Sequence, residues 1–185
     1  MVKIVKDNVA SLRAKSKPVE MPLSEKDKHT LDEMLEYLHL SQDEEYRKKH
    51  PSCREGVGLA APQIGVNKRM LVISYDVYDE DGNSEKIEYQ LVNPKIVVNS
   101  VRKCYLASGE GCLSVDEEHP GRAYRDFKIV VEAYDALVGE NRRITARGFD
   151  AIVLQHEIDH LDGILFYDRI DPKNPNKEIP GAVAI

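Results

Sequence analysis

Apolar positions along this chain follow three patterns, and each predicts a different kind of element. Leu31, Met34, Leu35 and Leu38 recur at helical spacing, while Ser24 and Asp27 supply an N-cap and a first-turn acid. The pattern therefore predicts an amphipathic helix ending at about His39. Residues 69–75 and 87–93 are apolar, β-branched runs on either side of a turn-forming stretch at 79–84, which predicts a hairpin. Residues 96–101 and 103–107 continue the strand pattern, and 127–134 with 142–147 form another predicted pair around Val138-Gly139-Glu140-Asn141. In the third pattern, Phe149, Ala151, Ile152, Val153, Leu154, Ile158 and Leu161 leave almost no polar flank, as in a helix buried all round. Gly163 follows as its C′ stop. Short strands joined by turns, then one buried helix, predict an α+β fold with antiparallel or mixed sheets packed around that central helix.

The segments between are less regular. Residues 9–13 suit a brief helix before Pro18 and Pro22, and 43–51 are so charge-dense that they read as a solvated extension or loop. Residues 56–65 are too rich in glycine and small side chains for an ordinary helix or strand; glycine there lets backbone approach a ligand closely. The stretch lacks the Lys and Ser/Thr of a phosphate loop. Pro172, Pro175 and Pro180 exclude a long helix over 171–185. A structural role is the default for His29, His39 and His50.

A length of 185 residues suits a single domain, 1–185, with a substantial core. The net charge of −6 argues against an electrostatic grip on nucleic acid, so no direct nucleic-acid binding is expected. Residues 1–10 are too polar for a signal peptide, and no apolar run approaches the roughly 20 residues that span a bilayer. The expectation is a cytoplasmic protein without a membrane partner. Cys53, Cys104 and Cys112 cannot all pair with one another, so at least one thiol is free and one is available as a thiolate ligand.

The chemistry concentrates in Gln155-His156-Glu157-Ile158-Asp159-His160, inside the helix predicted to be buried. Four residues apart, His156 and His160 share one helix face and can reach one ion. Glu157 points to the neighbouring sector, close enough to act on water at the metal without occupying a coordination position. The competing reading is two core histidines satisfied by backbone carbonyls, but two imidazoles and an acid buried without partners are costly. Two histidines do not close a catalytic site, which takes a third protein ligand and keeps one open position. Cys112, in Glu110-Gly111-Cys112-Leu113-Ser114, is the best candidate, against the alternative of a buried structural thiol.

Together with Gly58-Leu59-Ala60-Ala61-Pro62-Gln63, these two stretches resemble the three motifs of peptide deformylases, in the family's order. The resemblance runs from about Arg13 to Asp168, and the segment around 42–55 is similar to the insertion of the longer bacterial subclass. It implies a metal-dependent hydrolase that removes the formyl group from formylmethionyl nascent chains. By the same resemblance, Cys112, His156 and His160 ligate one divalent ion, Fe²⁺ in the cell with Zn²⁺, Ni²⁺ or Co²⁺ as substitutes. Glu157 is then the general acid/base, and Gln63 with the Leu113 N–H forms the oxyanion site. Val57, Gly58, Glu110, Gly111, Phe149, Ile152, Val153 and His156 line the substrate site, and Arg125 matches an arginine that pairs with Glu110; a solvated surface arginine is the alternative. Work close to the ribosome is implied, but the proline-containing tail does not resemble the terminal helix by which some deformylases dock there.

Two rivals remain at this level. An H-E-x-x-H peptidase would take its third ligand from farther on, where Asp162 and Asp168 are available. A structural zinc site would need a fourth protein ligand, for which Cys104 is the spare thiol.

Overall fold

In the computed structural model, which describes residues 2–79 and 81–185, eight strands run in chain order with three α-helices. The strands are β1 (Gly58–Ala60), β2 (Met70–Tyr78), β3 (Ser84–Asn99), β4 (Lys103–Tyr105), β5 (Arg125–Asp126), β6 (Lys128–Asp135), β7 (Glu140–Arg147) and β8 (Val183–Ala184). The helices are α1 (Glu25–Gln42), α2 (Glu44–Lys49) and α3 (Phe149–Leu161). A five-stranded antiparallel sheet has the order β1-β2-β3-β6-β7, and a second sheet, β5-β4-β8, is mixed, with β8 parallel to β4.

The run of apolar residues in β2 follows from both faces of its sheet being covered. Successive strand side chains point to opposite faces. Leu71, Ile73 and Tyr75 accordingly pack with Val153, Leu154, Ile158 and Leu161 of α3, whereas Met70 and Val72 pack with Leu31, Met34, Leu35 and Leu38 of α1. β1 divides in the same way, Ala60 toward α3 and Leu59 toward α1. The helix that carries the histidines thus lies against the sheet on one side. On the other it reaches β5, where the Gln155 side chain accepts from the Asp126 N–H and donates to the Asp126 carbonyl, both at 2.9 Å.

The predicted end of α3 and the predicted start of α1 hold. Gly163 adopts φ 75°, the Ile164 N–H donates to Asp159 O at 2.9 Å and the Gly163 N–H to His160 O at 3.2 Å, the paired bonds of a Schellman stop. A Cβ on Gly163 would also lie 2.5 Å from the Arg13 carbonyl oxygen. Ser24 caps α1 by accepting from the Asp27 N–H at 3.1 Å. The helix continues past His39 to Gln42, whose amide donates to Gly56 O at 2.9 Å and Ser74 O at 2.7 Å.

Four expectations need correction. Residues 43–51 contain a helix, α2, rather than an extension or loop: Asp43 caps it by accepting from the Glu45 and Tyr46 N–H groups, and no residue in it is buried. Residues 56–65 do form regular structure, the short β1 followed by a 3₁₀ turn at Ala61–Ile64. The runs 87–93 and 96–101 belong largely to one strand, β3, which passes Asn93-Pro94 through a bulge where the register with β6 shifts. The stretch 103–107 does not extend that sheet; β4 belongs to the smaller one. The hairpin at 79–84 closes with the Asp79 N–H donating to Asn83 O at 3.0 Å, while Glu80, like Met1, lies outside the described residues. Residues 9–13 contain the brief helix, a 3₁₀ turn at Ala10–Arg13, and the tail forms only β8.

Candidate metal centre and active site

Three elements bring the predicted donors together. α3 presents His156 and His160, with ring centroids 5.0 Å apart, and the loop between β4 and β5 brings Cys112 to them, its Sγ 3.3 Å from His160 Nε2. The thiol and one nitrogen of each imidazole lie within 4.8 Å of one another, the single group of three or more His, Cys, Asp or Glu that could hold an ion among the described residues. Tetrahedral bonds of about 2.0–2.3 Å hold donors roughly 3.3–3.7 Å apart, so the spacing suits one ion. A thiolate with two imidazoles suits a borderline transition ion and not Mg²⁺ or Ca²⁺.

Neighbouring charges orient the donors. His156 Nδ1 is 2.8 Å from Glu110 Oε2, which places the proton on Nδ1 and leaves Nε2 for a ligand bond. Burial pulls the His156 imidazolium down, but hydrogen bonding to Cys112 and Glu110 outweighs it and holds the group well above its ordinary value. Burial and the neighbouring His156 push His160 well below it. Burial opposes ionisation of Glu110 too, yet Arg125 and His156 bring its carboxyl down to about 2.

Arg125 is not a solvated surface residue. Its side chain is 1% exposed, with Nε and a terminal nitrogen donating to both Glu110 oxygens at 2.8 and 2.9 Å and the other terminal nitrogen donating to Asp159 at 2.5 Å. Arg169 grips Asp159 from the outside at 2.6 and 3.0 Å. A chain of alternating charge therefore runs from His156 to the surface. Removing one member of a buried pair strands the other, so Arg125→Leu is expected to lower unfolding free energy by about 3 kcal/mol or more. Denaturant titration of the two proteins checks this through the midpoint at unchanged slope.

Glu157 is 4% exposed, and burial pushes its carboxyl up to about 7 against the pull of His156 and Arg125. Its Oε2 has no hydrogen-bond partner among the described residues. A Cβ on Gly58 would lie 2.5 Å from Glu157 Oε1, so only glycine at 58 admits this carboxyl. Gln63 is fixed by its Oε1, which accepts from the Ala60 N–H at 2.8 Å and turns Nε2 toward Ser114 Oγ at 3.3 Å and Cys112 Sγ at 3.5 Å.

One cavity of about 320 Å³ joins these groups. Val57, Gly58, Gln63, Glu110, Gly111, Cys112, Leu113, Phe149, Ile152, Val153, His156 and Glu157 all line it, so of the residues predicted for the site only His160 is not in its wall. The rival ligands are engaged elsewhere: Asp162 with Arg69 at 2.7 Å, Asp168 with Arg13, and Cys104 buried within β4 outside the donor group. Arg54 and Leu106, which also line the cavity, Asp159 and Arg169 behind Arg125, and Phe166, stacked on the His156 ring at 6.1 Å, were not anticipated. Their roles arise from long-range contacts that no local motif announces.

An α+β fold that groups a thiol with two imidazoles beside an apolar cavity lined by a buried carboxyl defines a metal-dependent hydrolase. The family profile of polypeptide deformylase matches residues 1–176. The chain is 49% identical to a peptide deformylase of Macrococcus caseolyticus over 185 residues, covering 100% of this chain and 98% of the relative. Among solved structures, peptide deformylase from Ehrlichia chaffeensis superposes with a TM-score of 0.74 at 33% identity, covering 95% of this chain and 90% of that one. A class I type b peptide deformylase from Acinetobacter baumannii bound to Met-Ala-Ser superposes with a TM-score of 0.69 at 29% identity, covering 92% and 98%. The chain belongs to the polypeptide deformylase family, metal-dependent hydrolases that remove N-formyl groups from nascent peptides. No helix among the described residues is long and apolar enough to cross a membrane.

Proposed function

We propose that this chain, acting as one domain, removes the formyl group from formylmethionyl nascent polypeptides and releases formate and a free amine. The observation that carries this reading is the convergence of Cys112, His156 and His160 into one donor group, beside a cavity that Cys112, His156 and Glu157 line. The three donors would hold a single divalent ion, Fe²⁺ natively, with Zn²⁺, Ni²⁺ or Co²⁺ able to replace it. When bound, the ion supplies a water of lowered pKa and polarises the formyl oxygen.

The side chains do the rest. Glu157 takes the proton of the attacking water on a carboxylate oxygen and delivers it to the leaving amine nitrogen. Gln63 Nε2 and the Leu113 N–H donate to the oxygen that becomes negative, each such donor being worth about 3 kcal/mol in the transition state. Val57, Phe149, Ile152, Val153 and the His156 ring enclose the unbranched methionine side chain, and Glu110 and Gly111 edge the path of the peptide. Formyl has only hydrogen on its carbonyl carbon, so a site closed around it beside Gly58 and Cys112 would admit it and reject acetyl by overlap. The reaction belongs to the cytoplasm, close to the ribosome, where formylated chains emerge.

The relative from Acinetobacter binds Met-Ala-Ser, and the corresponding assay uses its formylated form. Formyl-Met-Ala-Ser should release formate and leave the tripeptide whole, and acetyl-Met-Ala-Ser should remain unchanged. Cleavage of a peptide bond, or no formate, would overturn the assignment.

A further inference from the structure

The loop that presents Cys112 is held from behind by residues outside all three motifs. One terminal nitrogen of Arg54 donates to Cys112 O at 2.8 Å, Leu113 O at 2.6 Å and Val115 O at 3.1 Å. Lys6 Nζ adds a bond to Leu113 O at 3.3 Å, and the Asp7 N–H donates to Ser114 O at 3.0 Å. The carbonyls of 112 to 115 are all engaged. The Leu113 N–H, in contrast, has no hydrogen-bond partner among the described residues.

We propose that Arg54 is a positioning residue for the reaction, aiming the Leu113 N–H at the developing oxyanion by fixing the Cys112 carbonyl. The two groups belong to one peptide unit. Because that unit is planar and trans, its C=O and N–H point in opposite directions, and a guanidinium that holds the carbonyl sets the direction of the N–H. A charged donor on the carbonyl also polarises the unit, making its N–H a stronger donor. The inference rests on the Leu113 role proposed above.

Two further features support function over mere stability. Arg54 also pairs with Asp116 at 3.4 Å, but both side chains are well exposed, and surface pairs of this kind contribute little. The arginine is itself steadied: Glu55 pairs with Arg47 of α2 at 3.2 Å, the Gly56 N–H donates to Ser41 Oγ at 3.2 Å, and Gly56 O accepts from Gln42. Segment 42–56 thus braces a catalytic peptide from one wall of the cavity.

Arg54→Met keeps the apolar stem and removes the donors. Misaiming a transition-state donor should lower kcat about tenfold, while KM stays within about twofold because the ground state does not use the bond. Metal content should not change, and in the Zn²⁺-loaded protein the Leu113 amide NMR resonance should shift. Arg54→Lys, with a charge but no fork, should restore part of kcat and still reads the effect if the methionine variant does not fold. An unmoved Leu113 resonance would overturn the clamp. A moved resonance with unchanged kcat would overturn the link to catalysis and with it the Leu113 assignment, whereas failure of the deformylase reading would already show in the wild-type protein as absence of formate. A rise in KM alone would make Arg54 a substrate contact, and loss of activity in step with metal would make it a support of the thiolate. Either result overturns the proposal.

Discussion

Glu157→Gln is expected to lower turnover by about 10² or more while the bound metal remains, because the amide keeps shape and polarity but cannot carry the proton. The geometry makes this a clean separation. Glu157 is outside the donor group of Cys112, His156 and His160, yet it lines the same cavity and lies where Gly58 leaves room for it. Its loss should therefore not open the metal site. The affected interaction belongs to the transition state, so KM should move less than kcat. Formate release and metal content measured on one preparation decide the matter. Turnover near that of the wild type with full metal would reduce Glu157 to a buried structural carboxyl and remove the proposed mechanism.

Much of this site was legible because its chemistry is local. His156, Glu157 and His160 occupy one turn of helix, and the apolar residues around them marked that helix as buried, which it is from Ala151 onward on nearly every side. The hairpin of β2 and β3 and the amphipathic α1 were equally plain, since burial imposes a period on the sequence. Where burial is absent, so is the signal. α2 buries nothing; the Asp43 cap and the pairs of Lys48 with Glu44 and Glu45, at 3.1 and 2.8 Å, accompany a helix that in sequence looks like a run of charge. The runs 87–93 and 96–101 look separate in sequence but lie largely in one strand, because β3 accommodates Pro94 at a bulge, with Asn93 at φ 52°.

The support of the site was illegible for a different reason. Arg54 lies 58 positions from Cys112, and Arg125 lies 34 positions from Asp159, so neither contact leaves a periodic trace. Such residues look like ordinary surface charge until the fold joins them. The ion pairs that matter are those in the charge chain behind His156, where burial makes each partner dependent on the other. Lys6 with Asp116, at 2.7 Å but largely solvent-exposed, illustrates the weaker kind.

Cys112→Ala is expected to abolish both metal binding and activity, and His156→Ala and His160→Ala should do the same. The three donors converge within 4.8 Å, and no fourth Cys, His, Asp or Glu among the described residues joins the group to take the place of one removed. Two ligands then bear the whole ordering of the site for less bond energy. The surrounding groups sharpen the expectation. Glu110, committed to Arg125 and His156, is not free to turn inward as a substitute, because leaving Arg125 would strand a buried charge. Gln63 Nε2, 3.5 Å from Cys112 Sγ, is a donor and cannot ligate a cation. The fold should survive, since Cys112 lies in a loop outside the two apolar clusters. Elemental analysis beside circular dichroism on each purified variant provides the check. Full metal occupancy in a folded Cys112→Ala protein would remove the thiolate from the ligand set and require an acidic side chain in its place.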